Sequence, residues 1–162
     1  AARYPDRVAL VGLIAGALAI PVNDHLLSLS DKALSKAIQA MISWGHGPMG
    51  HMHDNTQPGH SFLGFGNQLM AANNQNALKN DLIACNKYKN GKDSASKIQQ
   101  PALCILAEKD KMTPLKFGQQ MANTLIRGQV TVIESAGHML PAEFPNEVNT
   151  VLRNFLNESD KT

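Results

Sequence analysis

Residues 101–114 read PALCILAEKDKMTP and residues 128–145 read GQVTVIESAGHMLPAEFP, and these two stretches decide the fold. Each is a short apolar run that stops at a polar loop. Ala102 to Ala107 carries no charge, as in a parallel strand buried on both faces. Val130 to Ile133 is a second strand. Between them Thr113-Pro114 starts a helix, with Thr113 as N-cap and Pro114 in the first turn; Phe117, Met121 and Leu125 form its inner stripe. Pro145 starts the last helix, in which Val148, Val151, Leu152, Phe155 and Leu156 fall at helical spacing. Strand, helix, strand, helix predicts a parallel sheet with right-handed crossovers. The loops leaving these strands carry Asp110 and His138, at the strand ends where α/β proteins place reactive side chains.

Upstream, Val8 to Val22 is nearly uncharged. It is shorter than the roughly 18–20 residues that span a bilayer, and Tyr4-Pro5-Asp6 directly before it breaks the pattern of a secretory signal. It reads as a further buried strand, from Val8 to Gly16, followed by a linker with Pro21 and Asn23-Asp24. Ser30 is the expected N-cap of a helix whose apolar face is Ala33, Leu34, Ala37, Ile38, Met41 and Ile42. From Gly45 to Gly66 the chain holds glycines, prolines and four histidines without a period, which predicts a long loop. Leu78, Leu82 and Cys85 mark another helix, and the basic stretch Lys87 to Lys97 reads as a surface connection. The expected organisation is a core strand and linker over 1–22, a helical insertion over 23–97, and a C-terminal α/β core over 98–162.

Composition narrows the function. The 162 residues are 43% hydrophobic and 17% charged, enough for a folded core and too few charges for a disordered chain. A net charge of +2 without a Lys/Arg run excludes an electrostatic case for nucleic acid or an anionic membrane. Two cysteines, Cys85 and Cys104, make no disulfide framework, and a reduced cytoplasmic setting is expected.

The stretch from Pro101 to Leu156 resembles the last third of an α/β-hydrolase, through its strand-Asp and strand-Gly-His motifs. Arg3-Tyr4-Pro5-Asp6-Arg7-Val8 resembles the segment that follows that family's nucleophile helix, and SWGHGPMGHMHDNTQPG with Ile83-Ala84-Cys85-Asn86 its helical cap. The resemblance implies a partial α/β-hydrolase fold, a parallel three-strand remnant with flanking helices and a helical cap. The first strands, the oxyanion loop and the Gly-x-Ser-x-Gly elbow have no counterpart. In the family's order of serine, acid and histidine, Asp110 and His138 are the last two members, and the serine is expected upstream of Ala1.

The residues themselves suit those roles. A general base needs a loop position and a carboxylate that orients its other ring nitrogen. His138 has the loop, with Gly137 allowing a tight backbone, and Asp110 is the orienting acid. A capping role would leave Asp110 unexplained, because Thr113 can cap the helix. Glu108 is the second choice of acid, and Glu143 reads as a turn or cap residue. Ser61, in Gly59-His60-Ser61-Phe62-Leu63-Gly64, imitates a nucleophile elbow. It lacks a preceding strand, and Leu63 is too bulky for that turn. His46, His51, His53, Asp54 and His60 match no common zinc spacing, so neither a metal nor a cofactor is expected. Trp44, Met49, Met52, Phe62 and Phe65, with Met139 beside the histidine, are the candidates to line a substrate pocket.

Two functions follow. One is the C-terminal part of a serine hydrolase that cleaves an ester or related acyl bond of an apolar small molecule, inactive without its nucleophile. The alternative is a non-catalytic fragment or pseudo-hydrolase that binds a small ligand. Expected partners are the small-molecule substrate and either a missing N-terminal half or a second copy at the exposed sheet edge.

Overall fold

The computed structural model describes residues 1–52 and 61–159. Three strands, β1 (Val11–Ile14), β2 (Ala102–Ala107) and β3 (Gly128–Ile133), form one sheet in the order β1-β2-β3, with both pairs parallel. All six residues of β2 are buried, because the strand has a neighbour on each edge and helices on both faces. Leu103, Ile105 and Ala107 pack with Val148 and Phe155 of helix α9 (Pro145–Ser159). Ala102, Cys104 and Leu106 pack on the opposite face with Met121 and Ala122 of α7 (Leu115–Ala122) and with Leu125 beyond its end. Burying a side chain such as Ile105 contributes roughly 1.5–3 kcal/mol, so this strand anchors the fold.

The core departs from the sequence reading in detail. β1 is shorter than Val8 to Gly16: Pro5–Arg7 forms a 3-10 turn, and the strand ends at Ile14, with Ala15 at φ 49° donating its N–H to the Ile105 carbonyl at 2.9 Å. Phe117 lies at the surface with the Lys116 ammonium 4.9 Å from its ring centre. Leu156 is 51% exposed, since eight residues carry it about 80° round the helix from Val148.

Among the described residues six helices connect β1 to β2: α1 (Asp24–Lys32), α2 (Leu34–Gly45), α3 (Pro48–Met52), α4 (Phe62–Ala71), α5 (Ala77–Lys87) and α6 (Gly91–Ala95). The expected cap at Ser30 is wrong. Asn23 caps α1, its side chain accepting from Leu26 N–H at 2.8 Å, and Ser30 is buried inside that helix. The Gly45–Gly66 stretch is no continuous loop either. Pro48 opens α3, and Ser61 caps α4 by accepting from Gly64 N–H at 2.9 Å. Both are ordinary helix-start signals that the glycines obscured. Lys87–Lys97 likewise contains α6, with Gly91 and Ala95 buried. Leu26, Ala37 and Leu82 form the small core of these helices, with Trp44 and Leu78 packed against it. Among the described residues no helix is long and apolar enough to cross a membrane.

Candidate active site

Asp110 follows β2 and is buried; its two carboxylate oxygens do separate work. Oδ1 accepts from the backbone N–H groups of Met112 and Thr113, each at 2.8 Å. Oδ2 is 2.9 Å from His138 Nδ1 and accepts from the Thr113 hydroxyl at 2.8 Å. One acid thus shapes its own turn and holds the imidazole. Thr113 does not cap α7: its hydroxyl lies 2.7 Å from the Ala15 carbonyl and 3.2 Å from His138 Nδ1. Its single proton serves either Ala15 or Asp110 at one time, which ties the end of β1 to the acid.

Burial pushes the Asp110 pKa up, but hydrogen bonds from His138 and Thr113 outweigh it and hold the carboxyl below its usual value. An ionised acid at Oδ2 selects the tautomer with the proton on Nδ1, leaving Nε2 as an acceptor. Among the described residues, Nε2 of His138 has no hydrogen-bond partner. The side chains differ sharply in exposure, 1% for Asp110 and 26% for His138.

The loop that presents His138 is fastened on two sides. Ser135, at φ 60°, donates its N–H to Glu108 Oε2 at 2.9 Å, and Lys109 N–H bonds the Ala136 carbonyl at 2.8 Å. Glu108 therefore braces this loop instead of meeting the imidazole. The Ser135 N–H and the Lys109 ammonium hold its carboxyl below the usual range.

Glu143, at the end of α8 (Leu140–Glu143), is more than the expected turn residue. Its Oε2 accepts from Gly47 N–H at 2.9 Å and lies 3.4 Å from Gly137 N, while Oε1 is buried with no hydrogen-bond partner among the described residues. Met139 N–H bonds the Gly45 carbonyl at 2.8 Å. Here the turn between α2 and α3 meets the histidine loop, backbone against backbone. A Cβ on Gly47 would sit 2.5 Å from Gly137 N, and one on Gly137 would collide with Gly47 N. The glycines were visible in the sequence; their pairing across the fold was not.

A cavity of about 350 Å³ adjoins this loop, walled by Phe62, Phe65, Met112 and Met139 with His46 and His138. Its lining is almost wholly apolar. His46 is fixed by a 2.9 Å contact of Nδ1 with the Ile42 carbonyl. Trp44 lies elsewhere, on a second cavity of about 130 Å³ with Leu26 and Leu82. Met49 is not in the wall of the first cavity, and the side chain of Met52 is outside the described residues. The Ser61 hydroxyl is engaged as the α4 cap. Burial raises the Cys104 thiol to about 11, so it stays protonated at neutral pH. Of the histidine-rich stretch, His51 Nε2 is 3.0 Å from the Ser43 carbonyl, and His53, Asp54 and His60 lie outside the described residues. Among the described residues no cluster of three or more metal-ligating side chains forms.

Comparison with known proteins agrees with this architecture. The family model described as TAP-like protein matches residues 70–161. The mouse (Mus musculus) protein ABHD8 is 38% identical over 56 residues, which are 35% of this chain and 13% of that protein. A thermophilic esterase superposes with a TM-score of 0.80 at 23% identity, over 97% of this chain and 59% of its own. The enol-lactonase from Burkholderia xenovorans gives 0.80 at 19% identity, over 97% and 59%. The bromoperoxidase from Bacillus anthracis gives 0.78 at 18%, over 96% and 62%. The chain thus spans about 60% of the length of these solved structures, and at these identities the likeness is one of fold.

Proposed function

The chain belongs to the α/β-hydrolase family, and from that premise we propose that it carries the acid and the base of a serine hydrolase acting on an ester or related acyl bond. The observation that carries this reading is the 2.9 Å contact between His138 Nδ1 and Asp110 Oδ2 at the wall of an apolar cavity. In the proposed cycle a serine outside the described residues, contributed by sequence before Ala1, loses its proton to His138 Nε2 as it attacks the acyl carbon. Asp110 stabilises the imidazolium that forms. His138 then protonates the leaving group; a water deprotonated by the same nitrogen attacks the acyl carbon, and the proton passes to the serine oxygen as the acid is released. The helices over 23–97 serve as a cap that covers the acyl group. The uncharged cavity favours an apolar small molecule over a phosphorylated one. The outer edge of β1, unpaired among the described residues, receives the strands that bring the serine. Two free cysteines fit a reduced, cytoplasmic setting.

The test is hydrolysis of p-nitrophenyl esters by the protein with its upstream region. Turnover is expected to disappear in His138→Ala and to fall less in Asp110→Asn. Turnover that survives unchanged in both variants removes the reading.

A further inference from the structure

Met41 and Met112 belong to the walls of both the 350 Å³ cavity beside His138 and the 130 Å³ cavity beside Trp44. They come from different parts of the chain. Met41 is on α2 and packs with the core of the helical segment. Met112 follows the acid, its backbone N–H held by Asp110 Oδ1 at 2.8 Å. Its sulfur lies beside Gly45, where an added Cβ would come within 3.5 Å. Past these two side chains the smaller cavity offers Val22, Leu26, Trp44 and Leu82, with Asn23 and Lys111 as its polar members.

We infer that Met41 and Met112 are specificity-determining residues, a partition that sets the length of the linear aliphatic chain the site admits. The inference rests on the reading of this cavity as the acyl site. A thioether is unbranched and turns about three bonds, so the partition fills its gap without strain. Removing either side chain joins the two cavities into one longer channel. Affinity for a straight chain rises about fourfold with each buried methylene. It stops rising once the chain meets the partition.

Binding of ω-bromoalkanols from four to twelve carbons tests this without requiring catalysis. Trp44 is the single tryptophan of these 162 residues, and bromine quenches indole fluorescence on contact; a Trp44→Phe control leaves only the signal of tryptophans elsewhere in the full-length protein, which is subtracted. The wild type should gain about fourfold per methylene up to a plateau, with Trp44 unquenched. In Met112→Ala and Met41→Ala the plateau should move to longer chains, and the longest should quench Trp44. Met112→Leu, which keeps the volume, should behave as wild type. A plateau at the same length in all variants, or quenching of Trp44 in the wild type, overturns the partition. Parallel assays with p-nitrophenyl esters separate the two readings: length-gated binding without hydrolysis keeps the partition and removes the acyl-transfer chemistry. Absence of chain binding at every length overturns the partition whatever the hydrolysis shows.

Discussion

Six consecutive residues of β2 are buried, whereas the ten-residue helix α4 buries none. The two belong to different regimes of one molecule. The sheet with α7 and α9 is a dense two-faced core, and it holds Asp110 and the His138 loop at strand ends. The helical segment has a smaller core, the cluster of Leu26, Ala37 and Leu82, and it supplies much of the cavity wall. On the proposed reading, the acid and base sit on the densely packed part, and the surface that would define the ligand's shape sits on the part with the smaller core. The contrast teaches that geometry for chemistry and geometry for selectivity can be stabilised separately.

The largest expected effects lie on the rigid side. His138→Ala should lower kcat by on the order of 10⁶-fold, and Asp110→Asn by on the order of 10⁴-fold. Phe65→Ala, on the helical segment, should change KM by less than about tenfold with kcat retained. A Phe65→Ala loss as deep as that of Asp110→Asn would break the comparison. Stability should divide the same way. Urea unfolding should show Ile105→Ala costing about 4 kcal/mol and Leu82→Ala about 2 kcal/mol, the upper and lower parts of the range for such truncations. Equal costs would mean that both halves are packed alike. Hydrogen exchange would sharpen the point: β2 amides should exchange at the global unfolding rate, and those of α4 by local opening.

Gly137→Ala probes the seam between the regimes. Its added methyl meets the Gly47 backbone, so a destabilisation of about 1–3 kcal/mol is expected by thermal melting. A melting temperature equal to wild type would show that the seam can open. The smallest effect concerns pH. Asp110 titrates below its ordinary value when folded, so its contribution to stability is complete above the unfolded carboxylate pKa. Below that pKa the contribution declines progressively, and it is fully lost once pH has fallen through the lowered, folded value. Acid unfolding of Asp110→Asn should therefore be less steep than that of wild type below about pH 4, and identical slopes would refute the assignment.

The regimes also differ in how far they could be read from sequence. Ala102 to Ala107 was legible to the residue, because a strand buried on both faces leaves an uninterrupted apolar run. Asp110 and His138 stood out for the same reason, as the polar groups that end such runs. The α3–α4 region is not legible because α3 has only five residues and both helices hold glycines, so the start signals at Pro48 and Ser61 are outweighed by local composition. Leu156 misled in the opposite direction, since helical spacing continues past the surface it packs against. Residue type alone points Trp44 to the pocket, yet which cavity it faces depends on how α1, α2 and α5 share one core. Glu143 and Thr113 were beyond reach. Their partners, Gly47 and Ala15, are distant in sequence, and no local pattern announces such a bond.

The seam at Gly47, Gly137 and Glu143 has a consequence for engineering this protein. Transplanting the helical segment from a relative, to import its selectivity, would bring a foreign residue against the strand-end loop. A donor without a glycine at that crossing would push the imidazole aside, so such a graft has to include both sides of the junction as one unit.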